Sequence, residues 1–132
     1  MMIELIKKIA SSKKDVVFVG STSLYYIDKT ISPKDIDIVV NSLDGLDIFG
    51  EIKTWETKSP MSLSGQRAHI KRDDFDIDIF IEPNLPEYDL IDGVKFQTIE
   101  KFKSFIEVLI EVTKGEFKNK MIEKKKTLSS IV

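Results

Sequence analysis

Hydrophobic positions follow a helical repeat at both ends of this chain and a strand-like repeat between them. Isoleucines recur every third residue in 2–10, with lysines off that stripe, which predicts a short amphipathic helix. A broad apolar stripe at i, i+3, i+4, i+7 and i+8 predicts a helix over 99–113. Thr98 is its expected N-cap and Gly115 its expected C-cap. A more polar helix is predicted over 116–128.

Residues 15–40 carry the most informative pattern. An apolar run, Val16 to Val19, stops at Gly20, and three small hydroxyl residues then lead into an apolar segment that ends at Ile27. Asp35 to Val40 alternates acidic and aliphatic residues before it becomes fully apolar. This order predicts a strand, a tight glycine turn, a short helix and a second strand.

Three further strand signals follow. Residues 51–58 have the composition of a strand. Residues 67–82 predict a hairpin whose two arms flank a turn at Asp73-Asp74. Residues 94–97 predict a last short strand. The 132 residues are expected to form one domain, with the core motifs in 15–82 and helices from about 98 to 128.

Composition excludes several kinds of site. The chain has no cysteine, so a disulfide framework, a thiolate zinc site and a cysteine nucleophile are excluded. It has one histidine, His69, so a histidine-rich metal cluster is excluded as well. A metal site would have to use mainly oxygen ligands, which suits Mg²⁺ or Mn²⁺. No apolar run approaches the length that a bilayer requires, and we expect a cytoplasmic protein with no membrane partner.

Charge is unevenly distributed although the net charge is only −2. Residues 73–92 contain eight acidic residues and no lysine or arginine, whereas residues 114–126 contain six lysines. The acidic segment favours a metal or cation site. The lysine-rich segment is typical of a solvated helix face, and a surface that faces nucleic acid is the alternative.

Four aspartates fall on two predicted strands. Side chains alternate along a strand, so Asp35 and Asp37 share one face and lie about 6.5–7 Å apart, and Asp76 and Asp78 do the same. If the two strands are neighbours, three or four carboxylates meet, and such a cluster is hard to keep ionised without a divalent cation. Two metals about 3.5–4 Å apart would suit in-line phosphoryl-type displacement. The alternative is an edge strand whose acids simply face water.

Gly20 and Ser21 form a candidate phosphate-binding turn. Glycine allows the backbone to turn tightly and to approach a ligand closely, and the following helix begins with free N–H groups. The Ser21 hydroxyl adds a donor. A single Gly-Ser pair is more often a plain turn, but this pair lies between an apolar strand and an acidic one.

These motifs, in this order, resemble the nucleotidyltransferases of the DNA polymerase beta type. Phe18-Val19-Gly20-Ser21 matches the strand that ends in Gly-Ser, and Asp35-Ile36-Asp37 matches the Asp-x-Asp strand. Asp78, within Ile77 to Phe80, matches the third acid. Leu24-Tyr25-Tyr26 and the Pro33-Lys34 that precedes Asp35 are similar to the small bacterial and phage members, including those of toxin–antitoxin systems.

The resemblance implies an α/β (α+β) fold, with a small mixed β-sheet and packed helices. It also implies Mg²⁺-dependent (or Mn²⁺-dependent) transfer of a nucleoside monophosphate from a nucleoside triphosphate such as ATP to a hydroxyl acceptor. By that resemblance Asp35, Asp37 and Asp78 are the catalytic and metal-binding residues, and Asp78 also assists removal of the acceptor's proton. Gly20 and Ser21 hold the triphosphate.

The sequence leaves several alternatives open. Asp76 competes with Asp78 for the third position, because both lie on one strand face. The acceptor is RNA, a protein hydroxyl or a small molecule. The alternative function is an antitoxin-like module that binds a partner protein and has little or no catalysis. His69 is expected to be structural or exposed rather than a ligand, and Lys101, Lys103 and Lys114 are only candidates for binding triphosphate.

Overall fold

The computed structural model describes residues 2–27, 33–58 and 62–131. The chain divides into two compact units, of which one ends at Gln97 and the other begins at Thr98. The expectation of one domain is not decided by this division and stays a prediction.

The first unit contains a mixed sheet and confirms the α+β class. Its elements, in chain order, are α1 (Met2–Ser12), β1 (Val16–Val19), α2 (Ser21–Ile27), β2 (Asp35–Val40), a 3-10 helix (Asp47–Phe49), β3 (Ile52–Glu56), β4 (Gln66–Ile70), β5 (Asp76–Ile81), β6 (Tyr88–Ile91) and β7 (Val94–Gln97). Among the described residues seven strands form one sheet in the order β3-β4-β5-β2-β1-β7-β6. The pairs β2–β5 and β1–β7 are parallel, and the others are antiparallel.

One face of this sheet forms the main core with α1. The apolar stripe of α1 contributes Leu5, Ile6 and Ile9, which are buried. Aliphatic residues from alternate positions of the central strands complete the same cluster, and the rings of Phe18 and Phe96 lie 5.7 Å apart across β1 and β7. Full burial of each such side chain contributes about 1.5–3 kcal/mol.

Strand β2 shows how this core fixes the position of the acids. Ile36 and Ile38 are fully buried in the main cluster, so the half-buried Asp35 and Asp37 must face the other side of the sheet. A slip of one residue would exchange the two sets and bury carboxylates among aliphatic side chains. The hydrophobic pattern therefore determines which face carries the acids.

The predicted β4–β5 hairpin is confirmed, whereas strand β6 was not predicted. Antiparallel β6 and β7 are joined by Asp92 and Gly93, whose φ angles are 52° and 78°. Two consecutive residues with positive φ are typical of a tight hairpin turn, for which Asp-Gly is a preferred sequence. This signal was present in the sequence.

The second unit is a pair of helices, α3 (Ile99–Val112) and α4 (Gly115–Ile131). Thr98 caps α3 as predicted, because its hydroxyl accepts a hydrogen bond from the Lys101 backbone N–H at 3.2 Å. The prediction of Gly115 as the C-cap is wrong: Thr113 occupies that position, and Gly115, with φ +70°, begins α4. No helix in the described part of the chain is long and apolar enough to span a membrane.

Candidate functional site

The two acidic strands are direct neighbours. In the parallel β2–β5 pair, Asp35 lies opposite Asp76 and Asp37 lies opposite Asp78. Residues in register on adjacent strands share a face of the sheet. All four carboxylates therefore lie on one surface, which we call the acid face, as the sequence predicted for neighbouring strands.

The pKa of Asp35 shows that these carboxyl groups affect one another. Burial is the largest cause that raises the pKa of Asp35, and the charge of the nearby Asp78 carboxyl group raises it further. A cation beside these carboxylates would favour their ionised forms.

Gly20 lies against the carboxylate of Asp37. Its φ angle is +62°, and a Cβ atom at this position would lie 2.8 Å from Oδ2 of Asp37. Only glycine combines this backbone conformation with so close an approach. The glycine turn and the acid face thus form one continuous surface, and Ser21, half-buried, follows directly at the start of α2.

Two hydroxyl residues hold the turn against β2. Thr22 is fully buried, and its Oγ1 accepts a hydrogen bond from the Asp37 backbone N–H at 3.0 Å. The same hydroxyl donates to the Asp35 backbone carbonyl at 3.4 Å. The Ser23 hydroxyl donates to the Gly20 carbonyl at 2.8 Å. These bonds fix the position of the glycine turn relative to the carboxylates, a role that the sequence pattern had not indicated for either residue.

His69 lies in the acid cluster, although from the sequence we expected only a structural or exposed role for it. It pairs with Asp78 in the β4–β5 register, and its Nδ1 lies 2.6 Å from Oδ1 of Asp78. Its Nε2 lies 3.2 Å from Oδ2 of Asp76. Burial lowers the pKa of His69, but the hydrogen bonds and charges of the two aspartates outweigh this effect and raise the pKa overall. Protonation of the ring would let both of its nitrogens donate to these carboxylates.

The surroundings of Asp76 and Asp78 differ, although their strand positions are similar. Asp76 accepts a hydrogen bond from the Arg72 backbone N–H at 2.8 Å, which is the largest cause that lowers its pKa. Asp76 therefore helps to close the β4–β5 turn. Asp78 lies opposite Asp37 and contacts His69, and it takes no part in closing the turn.

Asp35, Asp37 and Asp78 have suitable ligand atoms for a hard divalent cation and lie on one face of the sheet. Carboxylate oxygens of Asp35, Asp37 and Asp78 are the ligands that Mg²⁺ and Mn²⁺ prefer. As the side chains are oriented, no group of three or more His, Asp or Glu among residues 2–27, 33–58 and 62–131 could hold a metal ion. The carboxylate of Asp78 is instead paired with Nδ1 of His69 on β4, 2.6 Å away. A metal ion would have to replace the imidazole as the partner of Asp78.

Three lysines were the other candidates for binding triphosphate. Lys101, Lys103 and Lys114 belong to the second unit, and both Lys101 and Lys114 are exposed. A cavity of about 530 Å³ lies beside α1, the 3-10 helix and Arg72, and none of the predicted site residues lines it.

A scan against models of known protein families found no match to this chain, and a search of curated proteins found none either. A function is therefore inferred from the residues of the acid face and from the resemblance of their motifs.

Proposed function

We propose that this protein is a nucleotidyltransferase that moves a nucleoside monophosphate from a nucleoside triphosphate to a hydroxyl acceptor. The observation that carries the proposal is that Asp35, Asp37 and Asp78 share one face of the sheet, with Asp37 beside the Gly20 turn. Neighbouring carboxylates raise each other's pKa, as burial and Asp78 do for Asp35, and a bound cation would relieve this repulsion.

In this proposal each residue of the site has a separate task. Asp35, Asp37 and Asp78 would bind Mg²⁺ or Mn²⁺, which supplies charge neutralisation for the triphosphate and lowers the pKa of the acceptor hydroxyl. Gly20 leaves room for the triphosphate to approach the backbone, and Ser21 donates its hydroxyl to a phosphate oxygen. Thr22 and Ser23 keep that turn in place.

The proposed reaction is a substitution at the α-phosphorus of the nucleoside triphosphate. The acceptor oxygen forms a bond to the α-phosphorus while the bond to the bridging oxygen of pyrophosphate breaks. Asp78 accepts the proton of the acceptor hydroxyl and passes it to water. Pyrophosphate leaves with the electron pair of the broken bond.

Transfer of label tests the proposal. The protein is incubated with α-labelled nucleoside triphosphates, Mg²⁺ and a lysate of the source cell, and labelled species are separated. We expect a labelled acceptor with the parent protein and at least a hundredfold less label with Asp37→Ala, because loss of a metal-bridging carboxylate removes both positioning and charge stabilisation. Asp76→Ala should have a milder effect. Equal labelling by all three proteins would exclude the proposal.

One observation favours the alternative, an antitoxin-like module that binds a partner protein. The imidazole of His69 lies within hydrogen-bond distance of Asp76 and Asp78, so a protonated His69 would offset part of the charge of the acid cluster without a metal. A module of this kind would show no triphosphate-dependent metal binding. Its association with a partner would be unchanged in Asp37→Ala.

A further inference from the structure

A second row of side chains crosses the acid face beside the carboxylates. Trp55 of β3 lies opposite Arg67 of β4, and Arg67 lies opposite Phe80 of β5. The Arg67 Cζ atom lies 3.9 Å from the centroid of the Phe80 ring and 5.7 Å from that of the Trp55 ring. A planar cation is therefore held over one aromatic ring and beside another.

This row combines a fixed part and an accessible part. Phe80 is only 8% exposed, and the Arg67 Nε also donates to the Ile79 carbonyl at 3.4 Å, so the guanidinium is anchored. Trp55 is 42% exposed on β3, an edge strand of the described sheet. An exposed indole next to an anchored guanidinium offers flat surfaces on which a planar ring can stack. We call this pair the Trp55–Arg67 platform.

The platform lies within one nucleotide's reach of the carboxylates. Lys53 and Trp55 are two residues apart on β3, and Lys53 lies opposite His69, which lies opposite Asp78. Same-face neighbours on a strand are about 6.5–7 Å apart. The carboxylates occupy one part of this face, and His69 and Lys53 lie next to them. The stacking surface, which carries positive charge, follows within a short distance.

This arrangement favours a chain-like ligand with planar bases and negative charge. Small-molecule sites usually enclose most of the ligand, whereas every residue of β3 except Ile52 is exposed. A single-stranded nucleic acid needs only flat surfaces for its bases and a few cations for its phosphates, and Lys53 and Arg67 supply such cations. An acidic peptide would use the cations but not the flat stacking surface.

We infer that the Trp55–Arg67 platform binds an unpaired base of a single-stranded nucleic acid, which places the end of that strand at the acid face as the acceptor. The acceptor role rests on the proposed nucleotidyltransferase function, whereas the binding does not. The base stacks on Trp55 and the Arg67 guanidinium, and Lys53 contacts a phosphate.

The chain provides its own reporter, because Trp55 is its only tryptophan. The parent protein, without nucleoside triphosphate, is titrated with end-labelled ten-nucleotide single strands of RNA and of DNA, an abasic DNA strand of equal length, and a duplex. Fluorescence of Trp55 and anisotropy of the strand are recorded together. We expect both single strands to quench Trp55, and the abasic strand and the duplex to leave its fluorescence unchanged.

Two variants and a control separate stacking from charge. Arg67→Lys keeps the charge but loses the flat guanidinium, and Trp55→Leu loses the indole. Each should weaken strand binding at least about fivefold, the factor that corresponds to loss of one base–aromatic stack. Lys95→Gln is the control, because Lys95 makes a similar contact with an aromatic ring at the opposite edge of the sheet, 5.0 Å from the centroid of Tyr88. It should bind the strands like the parent, and circular dichroism confirms folding of each variant.

Several results would overturn the inference: an unchanged Trp55 signal at saturating strand, binding of the abasic strand as tight as that of the base-bearing strand, or preferential binding of an acidic peptide at Trp55. Quenching by strands without any label transfer would leave strand binding by the platform standing and would refute the proposed function together with the acceptor role. Label transfer to a small hydroxyl compound, with no response of Trp55 to strands, would do the reverse.

Discussion

Replacement of Gly20 by alanine tests whether the glycine turn and the acid face form one site. Alanine at φ +62° costs about 1–2 kcal/mol in backbone strain. The new Cβ would also lie 2.8 Å from Oδ2 of Asp37, so that carboxylate must turn away. An off-rotamer side chain costs about 0.5–1.5 kcal/mol more. The total loss in the free energy of unfolding is therefore about 1.5–3.5 kcal/mol.

Gly93→Ala is the matched control in the same unit. Gly93 has φ +78°, but nothing lies within 4 Å of the point that a Cβ atom would occupy, so this variant carries the backbone strain alone. Urea or thermal unfolding followed by circular dichroism should show that Gly20→Ala melts about 2–6 °C below Gly93→Ala, at about 4 °C per kcal/mol for a chain of this size. Only Gly20→Ala should also lose stabilisation by Mg²⁺ with a nucleoside triphosphate.

A double-mutant cycle identifies the contact responsible. In an Asp37→Ala background the carboxylate is absent, so Gly20→Ala should cost no more than Gly93→Ala. The contact between Gly20 and Asp37 is unimportant if Gly20→Ala destabilises the parent no more than Gly93→Ala does. The same conclusion follows if the extra loss in free energy of unfolding persists in the Asp37→Ala background.

Three further predictions concern charge. In chelator at pH 7, Asp35→Asn should unfold no earlier than the parent, because burial and the charge of Asp78 raise the pKa of Asp35 and so disfavour its ionised form in the folded protein. Any advantage should vanish as the pH falls to the ordinary aspartate range. Mg²⁺ with triphosphate should no longer stabilise the variant. The raised pKa of His69 contributes stability below about pH 6.5 that is lost at higher pH, so in chelator His69→Gln should reduce the excess stability of the parent at pH 6 over pH 8. Arg72 holds the pKa of Asp74 well below its usual range, so Asp74→Asn should lower stability at pH 7 and flatten the loss of stability in acid, as measured by urea unfolding.

Local patterns predicted which side chains share a face. Alternation in β2 and β5 placed Asp35 with Asp37 and Asp76 with Asp78, and the buried isoleucines between them leave no other arrangement. The sequence did not indicate that β2 and β5 are neighbours. It predicted only that their acids would meet if they were. Parallel pairing joins segments distant in the chain and leaves no local signal.

The position of His69 was within reach of the sequence but was missed. The turn at Asp73-Asp74 was predicted, and counting outward from it pairs residue 69 with residue 78, which is the observed register. The expectation for His69 followed the usual roles of a lone histidine and did not consider Asp78, the residue opposite it on β5. The roles of Thr22 and Ser23 are different, since their bonds to Asp37 and Gly20 follow from how α2 meets β2 and no sequence spacing indicates them.

If Asp35, Asp37 and Asp78 form a cation site that a triphosphate completes, the binding of Mn²⁺ must depend on the triphosphate. Calorimetry with a non-hydrolysable nucleoside triphosphate should show Mn²⁺ binding at least tenfold tighter than without it, because phosphate oxygens complete the coordination shell. Asp37→Asn should abolish this gain, whereas Asp76→Asn should largely retain it, because Asp76 serves the β4–β5 turn. Equal Mn²⁺ affinity with and without triphosphate would show that these carboxylates do not form such a site. A gain in Mn²⁺ affinity that survives in Asp37→Asn would show the same.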